Sequence, residues 1–125
     1  MIWARLIAQN NSPFIEIRHA DKFTFDNAQS DAKLLIGSVA FEHDGATLYC
    51  DTALFFEHDE SILARGHIRI IKGDSISARA NRMDYSGKAR MARLMGGVHL
   101  IEKRMHLETD TLEFNLKTAI AYYTH

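Results

Sequence analysis

The sequence predicts an all-β protein of antiparallel strands, folded into a sandwich or roll and built from about four copies of one two-strand unit. A long period and a short one predict this. The long period aligns Ala20-Asp21-Lys22-Phe23-Thr24-Phe25 with Cys50-Asp51-Thr52-Ala53-Leu54-Phe55, Ala80-Asn81-Arg82-Met83-Asp84-Tyr85 and Thr109-Asp110-Thr111-Leu112-Glu113-Phe114. Each copy reads small, Asp or Asn, any, apolar, any, aromatic, and the copies start 30, 30 and 29 residues apart. Gly37-Ser38-Val39, Gly66-His67-Ile68 and Gly96-Gly97-Val98 fall between them at steps of 29 and 30. The short period is two. Asp51, Ala53 and Phe55 alternate with Thr52 and Leu54, and Asn81, Met83 and Tyr85 alternate with Arg82 and Asp84. Alternation over short runs describes strands with one buried face.

Turn chemistry closes each unit. Asp44-Gly45, Lys72-Gly73-Asp74 and Ser86-Gly87-Lys88 interrupt the alternating runs where hairpins require it. The glycine before each Val or Ile marks a bend or bulge at which a strand turns a corner. The recurring Asp21, Asp51, Asn81 and Asp110 read as backbone-bonding residues at strand irregularities rather than as a binding ladder, since Asn81 breaks any row of carboxylates. Helical spacing appears only weakly, in the first dozen residues. Residues 1–13 are therefore expected to form a short helix or a poorly ordered segment, and 14–125 the domain.

Composition agrees with one compact unit. The chain has 125 residues, 46% hydrophobic and 25% charged, which supports one core without a metal or disulfide staple. This apolar content excludes a disordered chain, and no apolar run approaches the ~20 residues of a membrane helix. Cys50 is the single cysteine, so no intramolecular disulfide forms. It falls at the small position of a strand and reads as a buried, inert thiol. Met1-Ile2-Trp3-Ala4-Arg5-Leu6-Ile7-Ala8 is too short an apolar stretch for a signal peptide. The expectation is a cytoplasmic protein or an exported one whose signal is missing.

The net charge of -1 conceals a sorting of charges. Residues 1–64 carry four Lys or Arg against ten Asp or Glu, whereas residues 65–104 carry ten against three. A segregated basic stretch points to an anionic partner. Its cations are Arg65, Arg69, Lys72, Arg79, Arg82, Arg90, Arg93, Lys103 and Arg104, besides Lys88 in a turn. Few aromatics interleave them, which argues against nucleic acid. No nucleophile elbow, P-loop or dinucleotide fingerprint is present. Glu42-His43-Asp44 and Glu57-His58-Asp59 form a matched pair that would bind metal only if their strands brought them together; two polar turns at sheet ends are the expected reading. Neither an enzyme nor a cofactor is expected.

The repeat resembles that of the OstA-like family, the organic-solvent-tolerance proteins that include lipopolysaccharide-transport proteins of the LptA type. Ala20-Asp21 with Phe25, Gly37-Ser38-Val39, Leu48-Tyr49-Cys50-Asp51, Gly66-His67-Ile68 and Leu107-Glu108-Thr109-Asp110 carry the resemblance over about residues 14–125. The wording of Leu34-Leu35-Ile36-Gly37-Ser38-Val39-Ala40-Phe41 is most similar to the OstA-like proteins of Bacteroidetes. Ala80-Asn81 departs from the family's Asp, and the ending Tyr122-Tyr123-Thr124-His125 suggests part of a longer protein.

The resemblance implies a partly open β-jellyroll with an apolar interior, stacking end to end and carrying lipopolysaccharide acyl chains through the periplasm, with a possible association with the outer membrane. The interior residues would be Phe23, Phe25, Val39, Phe55, Ile68, Met83, Tyr85, Val98, Leu112 and Phe114. Arg79, Arg82, Arg90 and Arg93 would meet phosphates. The partners implied are lipopolysaccharide or a related anionic lipid, other OstA-like domains paired by edge strands, and further copies in an end-to-end homo-oligomer. The alternative is a structural repeat module that assembles by its edges and binds no lipid.

Overall fold

The computed structural model describes residues 14–25 and 32–122. The expected N-terminal segment 1–13 lies outside them. Among the described residues nine strands follow one another: β1 (Glu16–His19), β2 (Lys22–Phe25), β3 (Ala32–His43), β4 (Ala46–Phe56), β5 (Ser61–Lys72), β6 (Ile76–Ser86), β7 (Met91–Glu102), β8 (Met105–Asn115) and β9 (Ile120–Tyr122). They form one antiparallel sheet in the order β1-β3-β4-β5-β6-β7-β8-β9, with β2 also paired to β3. The all-β antiparallel roll is as the sequence predicts.

One feature of the sandwich expectation is corrected. The two walls of the core are not separate sheets. β3 to β8 run 11 or 12 residues each and belong to both walls, because the sheet breaks register at one line across its middle. The register shifts between Ile36 and Val39, Arg65 and Ile68, and Met95 and Val98. Those are the three glycine elements, so the predicted corners are real. At each corner two successive residues take left-handed backbone: Gly37 (φ 87°) and Ser38 (47°), Gly66 (85°) and His67 (48°), Gly96 (84°) and Gly97 (55°). Glycine takes this conformation without a Cβ clash, whereas a side chain there costs about 1–2 kcal/mol.

The recurring acid or amide supports the corner from the neighbouring strand. A Cβ on Gly66 would fall within 3.0 Å of the Asp51 Cβ, and one on Gly96 within 2.9 Å of Asn81 Nδ2. Asp21 sits on Gly37 in the same way, and its amide donates to the Gly37 carbonyl at 2.9 Å. In the first three units the side chain of the second residue thus occupies the space a Cβ would fill. This is why the two sequence elements share one period.

Folding about the corner line brings inner face onto inner face. Phe55, Ile62, Tyr85, Ala92 and Phe114 are cross-strand neighbours in one row, and Leu35, Ala53, Ala64, Met83, Leu94 and Leu112 in the next. Beyond the corner, Phe41, Leu48, Ile70, Ala78, Leu100 and Leu107 make a third row. All but Leu107 are buried in one cluster. Each large apolar side chain withdrawn from water contributes about 1.5–3 kcal/mol, so these rows hold the roll closed. Asp44-Gly45 joins β3 to β4 with both residues at positive φ, the twist a two-residue hairpin demands.

Candidate functional site

Val39, Phe55, Ile68, Met83, Tyr85, Val98, Leu112 and Phe114 all lie on the inner face, each no more than 3% exposed. They are brought together along a single trough. Phe23 and Phe25 differ from the others in exposure. Register places Phe23 beside Leu35 and Phe25 beside Lys33, so both continue the inner rows, but they are 53% and 60% exposed. The reason is local. β2 has four residues, pairs with β3 alone, and has no described strand of the opposite wall above it. Their rings stand edge to face at 5.5 Å at the end of the trough.

Lys33, which the sequence reading passed over, marks the same end. Its Nζ lies 5.6 Å from the Phe25 ring, 5.9 Å from the Phe55 ring and 2.6 Å from Glu57 Oε1. The alternation of β3 places Lys33 on the inner face, and its long stem carries the charge out of the apolar row to Glu57. Only the period-two count from Leu35 could have flagged it.

The four arginines assigned to phosphate do not converge on the trough. Arg79, Arg82 and Arg93 neighbour buried residues in β6 and β7 and therefore project from the outer face. Arg90 sits in the β6–β7 turn, where its Nε donates to Asp44 Oδ2 at 3.1 Å and its guanidinium to the Gly87 carbonyl at 3.2 Å. It bridges two turns. Arg93 lies 3.9 Å from Glu113. Acyl-binding and phosphate-binding candidates thus occupy opposite faces of one sheet.

Among the described residues no cluster of three or more His, Cys, Asp or Glu could hold a metal ion. His58 is exposed in the β4–β5 turn. His43 is not the surface turn residue expected of it. It is 1% exposed, and its Nδ1 is hydrogen-bonded to the Tyr85 hydroxyl at 2.7 Å. Burial holds the Tyr85 phenol well above its ordinary range, so it remains a neutral hydrogen-bonding group. Burial likewise pushes the Cys50 thiol up to about 12, aided by the charge of Asp51; the thiol is protonated and inert. His67 is raised by its hydrogen bond to Asp51 Oδ2, 2.7 Å away, and by that carboxylate's charge.

Comparison with known proteins places this geometry. The profile of the family described as OstA-like protein matches residues 13–125. The chain belongs to the OstA-like family. The bent single sheet of this OstA-like chain is similar to the crystal structure of LptH from Pseudomonas aeruginosa, described as the LptA-homologous periplasmic component of the lipopolysaccharide transport device. The two share a TM-score of 0.72 at 15% identity, over 86% of this chain and 80% of that one. That likeness shows the LptA-like fold. No curated protein matches the chain.

Proposed function

We propose that this OstA-like domain is a lipopolysaccharide-transport module of the periplasm, working at or on the way to the outer membrane, and that its inner face takes acyl chains. Family membership and the likeness to LptH support the transport role, which is a carrier's and not an enzyme's. The observation that carries the acyl reading is the continuity of the inner rows into Phe23 and Phe25, exposed at one end. An acyl chain entering at Phe23 meets Leu35 and then Ala53 and Met83, while the row from Phe25 reaches Phe55 along the stem of Lys33, whose charge is held by Glu57. Occupancy requires the two walls to part, and the corner line of left-handed residues is the hinge at which they do so. With no energy-coupling motif in the chain, direction comes from elsewhere, and lipid is handed along from domain to domain.

The test is photo-cross-linking with a benzophenone amino acid at Phe25, with a control at outward-facing Glu113, after incubation with lipopolysaccharide. Capture at Phe25 alone, saturable and competed by unlabelled lipopolysaccharide but not by a neutral lipid, is expected. Equal labelling at both positions, or none, overturns the reading.

The second reading, a scaffold that assembles by its edges, is favoured by β8. β9 pairs with Glu113–Asn115, and among the described residues nothing pairs with the outer edge of Met105–Asp110. Such an edge is a template for strand addition from another OstA-like domain or another copy. Concentration-dependent association without lipid capture at Phe25 would select this reading.

A further inference from the structure

The outer face of β5 and β6 carries four arginines that the trough does not use. Arg65 is directly opposite Arg82, and Arg69 directly opposite Arg79, on either side of the corner. Like charges placed across a strand pair destabilise a sheet. Elsewhere such charges are bridged: Glu16 and Glu42 are also directly opposite each other, but Arg18 lies against both, while Arg90 is paired with Asp44 and Arg93 with Glu113. Among the described residues none of the four reaches a carboxylate within an ion-pair distance. Asp51, the acid at the corner between them, is already taken by His67. Asp84 follows two positions after Arg82 but lies between Leu63 and Arg93. Arg69 is held over the ring of Tyr49 at 4.8 Å.

Two grooves contain these pairs. One of about 580 Å³ is lined by Leu34, Leu54 and Leu63 together with Arg65, Arg82 and the carboxylate of Asp84. The other, about 650 Å³, contains Arg69 and Arg79 with Tyr49 and His67. Leu54 and Leu63 are cross-strand partners, 37% and 45% exposed. An apolar shelf leading into unpaired guanidinium groups has the shape of a single ligand, apolar at one end and multiply anionic at the other. Paired guanidinium forks match a phosphate better than a carboxylate.

We propose that this outer face binds a phosphate-bearing amphiphile, its phosphate on Arg65 and Arg82 within the field of Arg69 and Arg79, its chain on Leu54 and Leu63. The four arginines project from the face opposite the trough, although the groove at Arg69 and Arg79 reaches Val39 and Ile68 at the corner; the site does not rest on lipid entering the interior.

The test is amide-resolved NMR titration of the whole chain with dihexanoylphosphatidic acid below its micelle concentration. Dihexanoylphosphatidylcholine and inorganic phosphate serve as separate arms. Saturable shifts centred on β5 and β6 are expected, weakened at least tenfold in Arg65→Gln/Arg82→Gln, and weakened also in Leu54→Ser. Arg93→Gln should leave the affinity unchanged. The arginine variants relieve like-charge opposition, so their denaturation midpoints should hold or rise, which separates lost binding from lost fold. Equal affinity for inorganic phosphate would overturn the amphiphile assignment. Shifts spread over all surface cations, or an equal loss in Arg93→Gln, would overturn the site itself. Photo-cross-linking at Phe25 is unaffected by these variants, so failure here and failure of the trough reading are read separately.

Discussion

Gly66→Ala tests the corner directly. Gly66 stands at φ 85°, where a Cβ costs about 1–2 kcal/mol. The new methyl also falls within 3.0 Å of the Asp51 Cβ and Cγ, and closer still to its carboxylate. Asp51 must swing away, which sacrifices its exposed hydrogen bond to His67. Alanine stiffens the unfolded chain and returns about 0.4–1 kcal/mol. With the backbone strain and the displaced Asp51 together, the net cost is about 1–3 kcal/mol. Gly45 is the internal control, because its φ of 84° is the same and nothing lies within 4 Å of its Cβ position. Gly45→Ala therefore carries the backbone cost alone. Urea denaturation measures both. With a slope of about 2 kcal/mol/M, Gly66→Ala should lower the midpoint by about 0.5–1.5 M at unchanged slope. Its excess over Gly45→Ala should shrink when Asp51→Ala is added. Equal midpoints for the two alanine variants, or strict additivity with Asp51→Ala, would refute the argument that the repeated acid and the repeated glycine are one packing unit.

Three other outcomes follow from the same geometry. Tyr85→Phe removes the phenol from the buried ring of His43 and should cost about 1–3 kcal/mol, read by the same denaturation. Cys50 should resist Ellman's reagent at pH 8 in the folded state and react on unfolding, since its thiol is pushed up to about 12; native-state labelling at the rate of a free thiol would contradict its burial. His67 should titrate above the 6.5 of a free imidazole, and Asp51→Asn should return it towards that value, both followed by NMR. Because the folded pKa is raised, the stability this pair adds is present below pH 6.5 and is lost as pH rises through the folded value.

The strands, hairpins, corners and inner rows were legible because each is written as a period. Phe55, Tyr85 and Phe114 recur every unit and fall in one row with a partner strand between each. The Asp and Asn positions were readable as structural for the same reason. What periods do not contain is the neighbour across the fold. Phe23 and Phe25 obey the pattern, yet end exposed because no described strand of the other wall covers β2. His43 sits in a polar triplet, yet the bend carries it under Tyr85. Arg79 and Arg82 alternate with Ala78, Ala80 and Met83, so period two already sets them on the face opposite the apolar rows. Charge read by segment does not resolve face, which is why the apolar and cationic candidates separate in the structure.

The walls of the core are halves of the same strands, and each long strand pairs only with its sequence neighbours in the sheet, with side chains such as His43 and Tyr85 meeting across the core. Stability in such an array is close to a sum over units plus nearest-neighbour terms. The length of the protein is therefore a free variable. Excising residues 51–80 joins Cys50 to Asn81, restores the corner partner beside Gly96 and keeps every remaining row in step. A lineage carrying this fold can lengthen or shorten its reach by whole units without redesigning a core. The cost of damage to one unit falls mainly on its two neighbours in the sheet and on the side chains that meet it across the core.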